Sequence, residues 1–396
     1  MRGSLRRITA RAGEPEAFII VPVLRILLVF GTRPEAIKLC PVVRELRRGP
    51  DRFAVRVCVT AQHRDLLDPV LEAFQVVPDR DLEIMRPNQT LTGLTARMLE
   101  ALEPVLAEER PDLVFVQGDT TTTLAASLAS FYRGIPVGHV EAGLRTHDLA
   151  QPFPEEMNRV LTGRLAALHF APTKGAAANL AAEGVPLERI HLTGNTGIDA
   201  VLQVRDALAS GVLQTAEGLA LDPSRRLIVV TAHRRENFGP AFAREMRALA
   251  RLAERPDVDV VYPVHPNPNV LQPAHEWLGK HEHLHLIAPL PYVPFVDLMR
   301  RAWFLITDSG GIQEEAPSLG KPVLVLRNTT ERPEAVEAGT VKLVGTHEDR
   351  IVAEANRLLD DADEYTRMTR VHNPYGDGHA SERIAETLLA WHPLAP

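Results

Sequence analysis

The sequence predicts a two-domain α/β protein with a parallel sheet in each half. Three observations lead there. The chain has 396 residues, more than a single core usually supports. Short apolar, β-branched runs alternate with helical segments, the pattern of parallel strands joined by crossover helices. Midway along the chain that alternation stops and starts again.

In the first half the strand-like runs are Arg25–Phe30, Phe53–Thr60, Asp112–Gln117, Ile135–Val140, Ala167–Pro172 and Arg189–Gly194. In the second they are Leu227–Thr231, Val258–Pro263, Leu284–Ile287, Phe304–Thr307, Val323–Leu326 and Val341–Val344, with helices such as Ala241–Glu254 and Ile351–Leu359 between them. Residues 24–195 are the first expected domain and 196–371 the second, with Thr196–Pro223 acting as linker and hinge. Met1–Val23 reads as a flexible extension or the product of an early start. Each half opens alike, a strand running into a short basic loop and a helix: Gly31-Thr32-Arg33-Pro34-Glu35 and His233-Arg234-Arg235-Glu236-Asn237. Two Rossmann-like domains facing a cleft would bring both loops to it, because ligands of doubly wound sheets sit beyond the carboxyl ends of the strands.

Composition narrows the function. A formal charge of −7 argues against a general nucleic-acid binder and confines any phosphate site to a local pocket. Only Cys40 and Cys58 are present, which gives neither a disulfide framework nor metal-ligand spacing, so a cytoplasmic protein is expected. No run of about 18 apolar residues suggests a membrane span. Neither GxGxxG nor a Walker P-loop occurs, so dinucleotide oxidoreductases and P-loop kinases lose their main support.

The polar clusters that follow strands carry the chemistry. Arg33 stands in a strand-to-helix loop beside a Pro suited to the first helical turn, with Lys38 one turn on. Asp119 precedes Thr120–Thr123 at a helix start, where capping is the commoner role of a lone Asp. Glu141 follows another apolar strand, and Glu155 opens a helix where the dipole alone favours an acid. Three carboxylates after successive elements of one sheet say more than each alone, since a site needs one acid and one base. His233, followed by Arg234 and Arg235, is suited to a phosphate leaving group. Thr307-Asp308-Ser309-Gly310-Gly311 runs from a strand into a helix and offers bare backbone N–H groups and a hydroxyl, a diphosphate cradle. Glu315, about one turn further, is placed to accept from ribose hydroxyls.

From Leu24 to about Arg383 the chain resembles the non-hydrolysing bacterial UDP-N-acetylglucosamine 2-epimerases. The motifs that carry the resemblance are GTRPEAIK (31–38), CVTAQHR (58–64), GDTTTT (118–123), GHVEAGLRT (138–146), PFPEEMNR (152–159), TGNTGID (193–199), HRRENFG (233–239), DSGGIQEEAPSLGKPVL (308–324), TTERPEAVEAGT (329–340) and HNPYGDG (372–378). The resemblance implies a GT-B-type fold in which the segment 372–396 packs back on the first domain. It implies catalytic roles for Asp119, Glu141, Glu155 and His233, and nucleotide or diphosphate contacts for Arg33, Lys38, Phe295, Ser309, Gly310, Gly311, Glu315 and Arg332. Activation by a second substrate molecule would involve Gln62, His63, Arg234 and His265, although Asp65 stands where activated members carry Gln. Leu290-Pro291 stands where members often carry a polar pair such as Gln-Asp, which puts a uracil contact in question. The partners implied are UDP-N-acetylglucosamine, UDP-N-acetylmannosamine, UDP and a second copy of the chain.

The reaction so implied has a chemical logic. Carbon 2 of the closed sugar is not next to a carbonyl, so its proton leaves only if departure of UDP from carbon 1 supplies a sink. A carboxylate takes the proton, 2-acetamidoglucal and UDP form, and re-addition with protonation of the other face gives the manno sugar; this route requires no redox cofactor or metal. Asp119 is assigned as base, Glu141 to stabilising positive charge or returning the proton, and Glu155 to the complementary acid role. Arg33, His233 and Ser309–Gly311 receive the charge on the diphosphate. Three alternatives stay open: a hydrolysing epimerase, distinguished by loss of UDP from the product; a retaining glycosyltransferase, which needs an acceptor groove; and a sugar-nucleotide sensor, which binds without turnover.

Overall fold

A computed structural model describes all residues except 1–2, 8–17, 61–63, 87–88, 216–220, 331, 371 and 392–396, and the side chains of 3–7 and 18–22. The chain divides into two compact units, Met1–Ala200 with Gly378–Pro396, and Val201–Asp377.

The first unit contains β1 (Gly3–Arg7), β2 (Phe18–Pro22), β3 (Leu24–Phe30), α1 (Arg33–Arg47), β4 (Phe53–Val59), α2 (Arg64–Ala73) and β5 (Arg80–Asp81). It continues with α3 (Leu91–Glu109), β6 (Leu113–Gln117), α4 (Thr121–Tyr132), β7 (Val137–Val140), α5 (Glu155–Leu165), β8 (Leu168–Ala171), α6 (Lys174–Ala182) and β9 (Ile190–Leu192). Its main sheet has seven parallel strands in the order β5-β4-β3-β6-β7-β8-β9. Strands β3 and β6 are buried from Ile26 to Phe30 and from Leu113 to Gln117, as expected of central strands covered on both faces. Leu27, Val29, Val114 and Val116 pack with Leu102 and Leu106 of α3 and Ala126 and Ala129 of α4.

Two expectations change here, and one strand goes unforeseen. Part of the segment read as a flexible extension is ordered: β1 and β2 pair antiparallel, Leu5 opposite Ile20. Half of the segment read as a linker is the helix α7 (Thr196–Ala209). Asn195 accepts the Gly197 N–H at 2.8 Å, which starts the helix, and buried Ile198, Ala200, Val201 and Val204 hold one face of it. Strand β5 has only two residues, both charged, too short and polar to show as a period-2 pattern.

The second unit contains β10 (Arg226–Thr231), α8 (Pro240–Ala253), β11 (Val258–Pro263), α9 (Pro268–Leu278), β12 (Leu284–Ile287), α10 (Tyr292–Arg301) and β13 (Phe304–Thr307). There follow α11 (Gly310–Glu315), β14 (Val323–Val325), α12 (Pro333–Ala338), β15 (Val341–Leu343), α13 (Glu348–Asp360) and α14 (Ala362–Thr369). The sheet is parallel, six-stranded and ordered β12-β11-β10-β13-β14-β15. Its order reverses between β10 and β13, the switch point where ligands of such sheets bind. The core gathers Ile228, Val230, Phe304 and Ile306 from the strands with Met246, Leu249 and Leu252 of α8 and Ile351 and Leu358 of α13. The last helix, α15 (Ala380–Ala390), belongs to the first unit. Asp199 caps it, accepting from Ala380 N at 3.2 Å and Ser381 N at 2.7 Å.

Candidate active site

In the first unit the polar clusters gather at the carboxyl ends of β3, β6 and β7. Thr32 caps α1, and Glu35 closes the capping box from inside. The Glu35 side chain, 1% exposed, accepts from Gly31 N at 3.0 Å, Thr32 N at 2.8 Å and the Thr120 hydroxyl at 2.7 Å. One buried carboxylate thus joins the Arg33 loop to the Asp119 loop. Burial raises its pKa, and these hydrogen bonds oppose the rise. Gly31 is required by crowding: a Cβ there would lie 1.9 Å from Thr60 Oγ1. Arg33 is exposed at the first position of α1.

The threonine run divides its work. Thr120 is the N-cap of α4 and accepts from Thr123 N at 3.1 Å, so capping is not the role of Asp119. Thr122 meets Thr60 at 3.2 Å, and the Thr123 hydroxyl donates to Gln117 O at 2.6 Å. Asp119 is therefore projected by a turn whose other members are already bonded. His139 supports that turn from below, its Nε2 2.7 Å from Gly118 O. Burial holds the imidazole down at about 3, so the ring is neutral near pH 7 and donates through Nε2.

Asp119 Oδ2 accepts from Arg159 Nε at 3.1 Å and also from Nη2. The Asp119 side chain keeps 29% exposure. Desolvation raises its pKa, the Arg159 guanidinium opposes the rise, and nearby Glu141 adds to it. Glu141 sits at φ 62°, a left-handed conformation that costs a non-glycine residue roughly 1–3 kcal/mol and clusters at functional sites. Its carboxylate pairs with Lys38 and accepts from Gln117 Nε2; Asn195 Nδ2 is 3.4 Å away. Both carboxylates are thus salt-bridged, Glu141 to Lys38 and Asp119 to Arg159, and burial still pushes Asp119 toward protonation.

Glu155 stands at the first position of α5, half-buried. Its neighbour Glu156, fully buried, accepts from Thr146 N at 2.9 Å, His147 N at 3.0 Å and Arg159 Nη1 at 2.9 Å. Glu156 thereby aims Arg159, and Asn158 Nδ2 holds Asp119 O at 2.9 Å. Sequence reasoning missed Gln117, Glu156, Asn158, Arg159 and Asn195. Their spacing carried a signal, since Glu156 and Arg159 are an i,i+3 pair on the helix that Glu155 opens.

In the second unit Asp308, fully buried, organises the switch point. Its Oδ2 accepts from His233 N at 2.6 Å and Arg234 N at 2.7 Å, and its carbonyl from Arg234 Nε at 3.0 Å. The His233 ring, 42% exposed, has Nδ1 3.5 Å from Asp308 Oδ1 and stacks on His265 with centroids 5.4 Å apart. Burial and the neighbouring His233 hold His265 below the ordinary histidine value, with Asp308 opposing. Gln62 and His63 lie outside the described residues.

Ser309 precedes α11 with Gly310 buried and Gly311 exposed. A Cβ at Gly310 would meet the Arg332 guanidinium carbon at 2.9 Å, so the glycine lets Arg332 lie against the turn. Arg332 is aimed by Glu314, Nε to Oε1 2.7 Å. Asn373 in turn donates to Glu314 O at 2.7 Å and Ser318 Oγ at 2.6 Å. Three sequence motifs thus meet at one turn. Glu315 is half-exposed at the end of α11; burial raises the pKa of Tyr292 on α10 and the Glu315 charge adds to the rise, and Phe295 lies one turn along that helix. Among the described residues no group of three or more His, Cys, Asp or Glu is arranged to hold a metal ion, and no helix is long and apolar enough to cross a membrane.

The family model described as UDP-N-acetylglucosamine 2-epimerase matches residues 44–389. The chain belongs to this family. It is 58% identical to the UDP-N-acetylglucosamine 2-epimerase of Escherichia coli K12 over 370 residues, 92% of this chain and 98% of that one. To the Bacillus subtilis enzyme of the same name it is 53% identical over 369 residues, 92% and 95% of the two chains. Among solved structures, the Neisseria meningitidis UDP-GlcNAc 2-epimerase bound to UDP-GlcNAc superposes with a TM-score of 0.84 at 48% identity, covering 93% of this chain and 100% of that one. At 13% identity and a TM-score of 0.60, the glycosyltransferase of kitacinnamycin shares the fold alone. The protein is therefore an isomerase, a non-hydrolysing epimerase built from two Rossmann-like units of the GT-B class.

Proposed function

We propose that this epimerase interconverts UDP-N-acetylglucosamine and UDP-N-acetylmannosamine by eliminating and re-adding UDP through 2-acetamidoglucal. The observation that supports this best is the contrast between two neighbouring carboxylates. Asp119, though paired with Arg159, is biased toward protonation by burial and by Glu141, while Glu141 is paired with Lys38. Such a contrast suits one group to exchanging a proton and the other to staying negative near a developing positive carbon. In this reading Asp119 removes the carbon 2 proton as the bond from carbon 1 to the diphosphate breaks. The electron pair of the C–H bond becomes the C1–C2 double bond, and the pair of the C–O bond leaves with UDP. Glu141 opposes charge at carbon 1, and Glu155 protonates the other face of carbon 2 on return.

Arg33, His233, the Ser309 hydroxyl and the Gly310 and Gly311 N–H groups stabilise the departing diphosphate, the Ser309 N–H itself being taken by Thr307 Oγ1 at 2.9 Å, with Lys38 and Arg332 adding positive charge. Glu315 binds the ribose and Phe295 packs against the nucleotide. Arg234 and His265 are the described residues proposed to contact an activating second substrate molecule. The same reading includes a cytoplasmic homodimer, which sedimentation of the purified protein checks.

The mechanism is tested with isotopes. In heavy water the product gains deuterium at carbon 2, and oxygen-18 placed in the sugar–phosphate bridge scrambles into non-bridging positions. Unscrambled label, together with no free glucal or UDP after long incubation, refutes elimination.

A further inference from the structure

Behind the His233 loop lies a second buried carboxylate that no step above uses. Glu245 of α8 is 1% exposed. Its Oε1 accepts from Asn237 Nδ2 at 2.8 Å, and the other proton of that amide goes to Leu326 O at 3.1 Å. Asn237 closes the turn that starts at His233: its own N–H donates to Arg234 O at 3.1 Å. The loop therefore has two buried carboxylate anchors, Asp308 at its start and Glu245 at its end. We infer that Glu245 is a positioning residue for the epimerisation, fixing His233 through Asn237 and the Asp308 anchor. The inference rests on the proposed role of His233 at the diphosphate.

A second geometric observation says in which form it acts. Glu245 Oε2 and Asp308 Oδ1 are both buried without a hydrogen-bond partner, and two ionised carboxylates cannot share a dry region at low cost. A proton on Glu245 removes one of the two charges and supplies a donor. In agreement, burial, with Asp308 adding and Arg244 opposing, pushes the Glu245 carboxyl up to about 9. The titratable and charged groups around it are Asp308 after β13, Tyr262 of β11, whose hydroxyl donates to Ala232 O, and Arg244 of α8; Asp308 in turn is held by the His233 and Arg234 N–H groups of the loop. The folded protein thus keeps a proton that the unfolded chain releases in the ordinary carboxylate range. Stability contributed by the neutral acid is complete below that range and declines as pH rises toward about 9.

Glu245→Gln keeps both an acceptor for Asn237 and a donor, and it cannot ionise. Glu245→Leu and Asn237→Ala cut the same hydrogen bond from either end. We expect Glu245→Gln to match the wild type at pH 7 in kcat and to lose the alkaline decline in activity and melting temperature. Glu245→Leu and Asn237→Ala should each lower kcat about tenfold, equivalent to roughly 1.4 kcal/mol, with KM little changed and the double variant no worse than either single one. NMR titration of the His233 ring in the unliganded protein should shift in both single variants and stay in place in Glu245→Gln. A Glu245→Leu protein with wild-type kcat and an unmoved His233 titration overturns the inference, as does an alkaline decline that persists in Glu245→Gln. If Glu245→Leu does not fold, Asn237→Ala decides. Wild-type protein without epimerase activity would instead defeat the reading of the reaction, and the NMR arm, which uses no substrate, would still decide the role of Glu245.

Discussion

Replacing Arg159 by Met should move the acid limb of the pH–activity profile to higher pH. Arg159 donates twice to Asp119 Oδ2 and once to Glu156 Oε2. Hydrogen bonds to charged groups are worth roughly 1.5–3 kcal/mol. The Asp119 side chain is 29% exposed, so solvent screening brings the effect toward the lower end of that range. Even about 1.5 kcal/mol is roughly a tenfold change in the balance between ionised and protonated Asp119. The sign follows from the causes: desolvation and Glu141 favour the neutral acid, and the guanidinium opposes them. Without Arg159 the base is protonated over a wider range, so the acid limb of kcat/KM moves to higher pH. At pH values below both acid limbs the variant's kcat/KM should be about tenfold lower than the wild type's, and the two profiles should converge above them. The assay is a full pH profile of kcat/KM, with circular dichroism at each pH to confirm folding. A loss equal at every pH would refute the argument and make Arg159 a packing residue only.

Two further outcomes concern the site. Asp119→Asn, Glu141→Gln and His233→Ala should each lower turnover by on the order of a hundredfold or more while the fold is kept, as for proton-transfer and charge-stabilising groups; near-normal turnover in all three defeats the assignment. Glu315→Ala should weaken UDP binding more than it slows the chemical step, because a ribose contact is made equally in ground and transition states; calorimetry that finds unchanged UDP affinity removes that role.

Apart from β5, the strands of the two main sheets were legible because their apolar, β-branched runs were long enough to show. The candidate groups at their carboxyl ends followed from the same reading. What stayed hidden was which carboxylate serves the backbone and which faces outward. Glu155 and Glu156 are adjacent and chemically alike, yet Glu156 is consumed by the Thr146 and His147 amides. The same holds for Glu314 and Glu315, where the buried member aims Arg332. Sequence gives the supply of carboxylates at a helix start, whereas the helix's rotation about its axis, set by packing, selects the one that turns inward. The Asn237–Glu245 pair was invisible for a related reason: a buried Glu on an otherwise amphipathic helix reads as a surface position until its partner is known. Strand β1 was missed because the basic run Arg2–Arg7 looks solvated whatever its backbone pairs with.

The Glu35 carboxylate has a consequence for how such sequences can be recombined. It is donated to by Gly31, Thr32 and Thr120 at once, so the motifs after β3 and β6, some 85 residues apart in the chain, behave as one inherited part. A chimera that imports either motif without the other would set a foreign donor against a native acceptor in a region closed to water. Crossover points between relatives should therefore keep residues 31–35 and 118–123 from the same parent, even where each stretch alone aligns well.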